Sequence, residues 1–196
     1  VNLRAAFVAA PLLVLGYGVL RILDGLDGSR GPGPAWTLGH LSFLAALALF
    51  IPILLRMRRT AGAGGLTTAA TVVSLVGVAA LVAQFTVDIV GGFLSADHAE
   101  LSRFFAEVKG LPVVPLAIYD VGPYLFYLGQ IVLIGQLAAQ RRVKGWTVAL
   151  YVAYLVTPAI SKDLIPVSAI LLLAAFLPIS AAIARTPTPA PAPART

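Results

Sequence analysis

Two carboxylates stand inside apolar stretches of this chain, Asp88 and Asp120. An ionisable side chain within a membrane span costs about 2.5–3.5 kcal/mol on insertion scales, so it faces a bundle interior, finds a partner, or does proton chemistry. Gln84 precedes Asp88 by one helical turn and shares its face. Tyr124 and Tyr127 follow Asp120 at i+4 and i+7, which makes a polar and aromatic stripe. Pro123 sits beside that stripe and removes a backbone donor. His40 lies near the start of the second apolar stretch, and Tyr154 and Thr157 share a face of the fifth. The expectation is that His40, Asp88, Asp120 and Tyr124 converge at one level, with Gln84, Tyr127 and Tyr154 nearby. Asp88 and Asp120 would carry acid–base work, because a carboxylic acid in an apolar site keeps its proton and can donate it. His40, Gln84, Tyr124, Tyr127 and Tyr154 would bind the ligand. The competing reading is structural: each carboxylate hydrogen-bonds a neighbouring helix, Asp120 pairs with Arg21 or a tyrosine, and His40 sits at headgroup level.

The elements that must position these groups are helices in lipid. The 196 residues are 59% hydrophobic and 11% charged, with mean hydropathy +0.94. A soluble domain carries about 25% charged residues. Six stretches are apolar enough to read as spans: Ala5–Leu23, Trp36–Leu55, Leu66–Leu94, Pro112–Ala138, Trp146–Ile160 and Leu164–Ala184. The first reads as a true span rather than a cleaved leader. The fifth is the shortest. Ser161, Lys162 and Asp163, flanked by Pro158 and Pro166, separate the fifth and sixth as a tight hairpin.

Charge orders the spans. Arg4, Arg56, Arg58, Arg59, Arg141, Arg142, Lys144, Arg185 and Arg195 fall on one side with no acid among them. Asp24, Asp27, Asp97, Glu100, Glu107 and Asp163 fall on the other, with Arg21, Arg30, Arg103, Lys109 and Lys162. The positive-inside rule then puts both termini in the cytoplasm and the protein in the cytoplasmic membrane. Between spans three and four, Asp97 and Glu100 form a capping-box pattern. Leu101, Phe104, Phe105 and Val108 follow at helical spacing. The fold class expected is all-α: six transmembrane helices over residues 1–185, plus a short amphipathic extracytoplasmic helix. Residues 186–196 form a tail alternating proline with alanine or threonine.

Several functions lose support. The excess of six positive charges punctuates apolar runs, which suits anionic headgroups and not nucleic acid. Absence of cysteine removes thiolate chemistry and Cys-based metal sites. The 24–34 loop is glycine and proline turn chemistry, and its aspartates lack calcium-loop spacing. Gly62–Gly65 lacks the Lys-Ser/Thr of a phosphate loop. No cofactor is expected. Haem would have only His40 and His98 to use, which are not on facing mid-span positions, and a divalent metal would have those two with the aspartates. A proton-coupled transporter is a weaker reading, because the cytoplasmic halves of the spans carry no charge and offer only Gln130 and Gln136. Expected partners are membrane lipids, and another membrane protein or a second copy.

The segments RGPGPAWTLGHL (30–41) and GPYLFYLGQIVLIGQLA (122–138), set among Ala/Gly/Val-rich spans, resemble small multi-pass membrane proteins of high-GC actinobacteria. The resemblance implies a helical bundle in the cytoplasmic membrane and carries over no catalytic residue. The reading that follows is a polytopic membrane protein with a polar site for a small amphipathic or lipidic ligand. The alternative is a non-catalytic accessory or scaffold subunit of a larger membrane complex.

Overall fold

A computed structural model describes residues 2–185, all of whose regular structure is helical. The elements are α1 (Leu3–Asp24), α2 (Pro34–Thr60), α3 (Gly65–Leu94), α4 (His98–Gly110), α5 (Gly122–Ala139), α6 (Gly145–Ile160) and α7 (Ile165–Ala184). A π-turn (Pro115–Asp120) leads into α5 and a 3-10 turn (Lys162–Leu164) leads into α7. The alternating tail lies outside the described residues.

Local chemistry sets the boundaries. Asn2 caps α1 by accepting from the Arg4 N–H at 3.2 Å. Pro34 opens α2, where a missing N–H costs nothing. Asp97 caps α4 through the Glu100 N–H at 2.9 Å, and the Glu100 carboxylate takes the Ala96 N–H at 2.8 Å. The reciprocal bond of the expected capping box therefore forms one residue earlier than the cap itself. Ser161 Oγ accepts from the Asp163 N–H at 3.2 Å and closes the expected hairpin.

Hydrogen bonds between loops sort the helix ends into two groups. Arg30, between α1 and α2, donates to Asp163, between α6 and α7, at 2.7 Å, and the Arg30 carbonyl meets His98 Nδ1 of α4 at 2.6 Å. This is the acidic end. At the opposite, basic end, Gln140 after α5 donates to the Ala61 carbonyl after α2 at 2.8 Å. Helices α1, α2, α3, α5, α6 and α7 therefore run alternately between the two ends. Five stretches, Leu3–Asp24, Pro34–Thr60, Gly65–Leu94, Pro115–Ala139 and Lys162–Ala184, are long and apolar enough to cross a membrane. Helix α6 is apolar but only 16 residues long.

The core is aromatic at its centre. Phe50 of α2 meets Phe126 of α5 edge-on at 4.9 Å and Phe176 of α7 at 5.7 Å, and Phe176 meets Phe7 of α1 at 5.2 Å. Helices α3 and α5 cross closely because glycine permits it. A Cβ on Gly77 would collide with the Phe126 backbone, and one on Gly129 would collide with the Ala70 carbonyl and Ser74. Ser74 Oγ uses that proximity to donate to the Phe126 carbonyl at 3.1 Å.

The approach to α5 departs from a straight span beginning at Pro112. Val113 has φ 68°, a left-handed conformation strained for a β-branched residue. Pro112, Pro115 and Pro123 each lack the N–H that a continuous helix would use, and the chain answers with the π-turn and a break at Val121.

Candidate functional site

The site grows from the start of α2 and the end of α3. Trp36 and His40 are one turn apart on α2. His40 Nδ1 lies 2.7 Å from the Trp36 carbonyl oxygen. A carbonyl can only accept, so Nδ1 carries the proton and donates. His40 Nε2 then faces Asp88 Oδ2 at 3.5 Å. A bare ring nitrogen and a bare carboxylate repel at that distance. The contact is attractive when one proton sits on Nε2 or on Oδ2. Both side chains are buried, at 7% and 12% exposure, so little water screens the pair.

Neighbours from three further segments hold the pair. Tyr119 of the π-turn donates its hydroxyl to Asp88 Oδ1 at 3.3 Å. The Trp36 indole N–H donates to the Asp88 main-chain carbonyl at 2.9 Å, which ties the start of α2 to the end of α3. The His40 ring lies between Trp36 at 4.2 Å and Phe85 at 5.2 Å, with Tyr17 edge-on at 5.7 Å. Helix α4 roofs the cluster. Its Phe105 ring meets Trp36 at 6.2 Å, and Phe104 and Leu101 lie against Gly91, where a Cβ would intrude.

A recess opens beside the pair between α1 and α2, lined by Tyr17, Arg21, Asp24, Trp36, Gly39 and His40 among others. It measures about 210 Å³ to its open mouth, and its enclosed part has room for about one water molecule. Drug-sized ligands occupy about 300–1,000 Å³. Only a small polar group fits as the helices stand. The rim is a charge network: Arg30 bonds Asp163, and the Arg21 guanidinium approaches the same carboxylate at 4.0 Å.

The expected residues separate into two groups. His40 and Asp88 meet as expected. Gln84 is half-buried one turn below Asp88. Asp120 and Tyr124 do not join them: both are exposed, Tyr124 at 70%, and the carboxylate beside Arg21 is Asp163, not Asp120. The physical reason is the π-turn. Its i→i+5 bonding adds a residue to the turn and rotates the helical faces, so that Tyr119 meets α3 while Asp120 and Tyr124 point outward. Tyr127 and Tyr154 meet each other in the interior at 6.0 Å, away from the recess. His98 bonds the Arg30 carbonyl on the rim. No cluster of three or more metal-ligating side chains occurs among the described residues. The expected set omits Tyr119, Tyr17 and Trp36. Only the three prolines around the π-turn hint in sequence that the stripe on α5 would rotate.

No family model, curated protein or solved structure matches this chain. The functional reading therefore stands on this geometry.

Proposed function

We propose that the chain is a six-span protein of the cytoplasmic membrane, with both termini cytoplasmic and the His40–Asp88 pair forming an acid–base site in the half facing away from the cytosol. The ligand class is the small polar head of an amphipathic or lipidic molecule that reaches the recess between α1 and α2. Three features support this reading. Basic residues collect at one end and acidic ones at the other. The recess opens at the acidic end. Above all, the imidazole and the carboxylate lie buried 3.5 Å apart beside the recess, an arrangement that suits proton exchange with a group seated there.

Native mass spectrometry of gently extracted protein tests the site. Wild-type protein and the Asp120→Asn variant are expected to carry a bound amphiphile that Asp88→Asn and His40→Ala lose. Equal lipid occupancy in all four removes the proposal. Labelling from either side of the membrane tests the orientation: residues introduced in 97–109 and in 56–59 are expected to react from opposite compartments. Reaction from the same compartment overturns the topology.

The scaffold reading has one observation of its own. Asp120 and Tyr124, with Leu116 and Leu128, form an outward face of the span Pro115–Ala139. A carboxylate on an outward span face is rare unless something covers it. A stoichiometric protein subunit in the same mass spectra, lost in Asp120→Asn, would favour that reading.

A further inference from the structure

The interior below the site holds three buried polar atoms with no protein partner: Gln130 Oε1, Tyr151 Oη and Thr147 Oγ1. All three residues are fully buried. Leaving such an atom unsatisfied costs about 1–3 kcal/mol, and native interiors keep few of them without a reason. Their positions are related. Tyr127 of α5 touches Tyr154 of α6 at 6.0 Å, and Tyr154 touches Tyr151 at 5.3 Å. Because α5 and α6 run antiparallel, three residues onward from Tyr127 and three back from Tyr154 bring Gln130 to the level of Tyr151. Thr147 lies one turn further on the same face of α6, two residues from that helix's start at the basic end. From Tyr154 to Thr147 the seam descends about 10 Å at helical rise.

At its upper end, Tyr17 meets His40 edge-on at 5.7 Å, and Tyr17 and Tyr127 both pack against the same buried core. The groups facing His40 are Asp88 of α3, Tyr17 with Arg21 and Asp24 of α1, and, through Asp88, Tyr119 of the π-turn. The enclosed part of the recess beside the pair has room for about one water molecule.

We infer that the species passing through this site is a proton, and that the seam Tyr17–Tyr127–Tyr154–Tyr151/Gln130–Thr147 is its path between the His40–Asp88 pair and the basic end. The inference rests on His40–Asp88 being an acid–base site. A proton enters from water in the recess and occupies the pair. Each hydroxyl, or a water bridging two of them, accepts a proton on its oxygen as it releases its own to the next. A proton leaves into water beyond Thr147. The net change is one proton moved, with no protein bond altered at the end of the cycle. The cytoplasmic halves of the spans need no fixed charge for this, because hydroxyls and water relay a proton without holding an ion.

The test uses the full chain in liposomes of neutral lipid, with a pH-sensitive dye inside and a potassium diffusion potential, negative inside, imposed with valinomycin. Acidification is expected to start at least tenfold faster than in protein-free vesicles. Tyr151→Phe and Thr147→Val, which keep volume and remove one hydroxyl or its equivalent, are expected to slow it about tenfold each. Asp88→Asn is expected to bring it to the protein-free rate, and Asp120→Asn to leave it unchanged. A wild-type rate equal to that of protein-free vesicles overturns the inference. So does a wild-type rate in both hydroxyl variants. Bound amphiphile without proton flux sinks the path and leaves the site. Flux without bound amphiphile sinks the proposed ligand and leaves the path.

Discussion

Asp88 and Asp120 are both carboxylates near the acidic end of neighbouring helices, yet they live in different solvents. Asp88 is 8% exposed, with an imidazole on one oxygen, a phenol on the other and an indole on its main-chain carbonyl. The Asp120 side chain is exposed and forms no hydrogen bond or ion pair among the described residues. The difference is not one of residue type or depth. It comes from a single π-turn that presents Tyr119 to α3 and turns the next residue away. A polar residue in a span is therefore informative about chemistry only once its helical face is known.

The comparison is most easily broken by removing each carboxylate. Asp88→Ala leaves His40 Nε2 and the Tyr119 hydroxyl without their partner in a buried site, so the loss expected is about 3 kcal/mol. Asp120→Ala, on an exposed face, is expected to change stability by less than about 0.5 kcal/mol. Thermal or denaturant unfolding in a mild detergent, followed by Trp fluorescence, reads both. Equal losses would mean that the two side chains share one environment. A smaller effect sharpens the comparison. Tyr119→Phe removes only the hydrogen bond to Asp88 Oδ1, for an expected loss of about 1 kcal/mol in the same assay. The loss should vanish when Asp88 is already alanine. An undiminished loss in that double variant would place the tyrosine's contribution elsewhere.

The tyrosines teach a related point. Tyr127 and Tyr154, expected near His40 and Asp88, sit instead in the seam below the recess, beside Tyr151. Spacing along α5 and α6 shows which residues share a face, but not which neighbour that face meets. The missing information is the rotation of each helix about its own axis. The close crossing of α3 and α5 at Gly77 and Gly129 sets part of it, and the proline-rich approach to α5 sets the rest.

Much was nonetheless readable from residues alone. Apolar runs marked the long helices, because backbone polar groups in hydrocarbon must be satisfied within the segment. Asp97 with Glu100 announced α4, and Ser161 to Asp163 announced the last hairpin, because their hydrogen bonds are local. The pairing of His40 with Asp88, the substitution of Tyr119 for Tyr124, and the row of unpartnered polar atoms along α5 and α6 belong to the tertiary structure. Those contacts join residues far apart in the chain, and their geometry depends on helix rotation and crossing distance, which short-range periodicity does not encode.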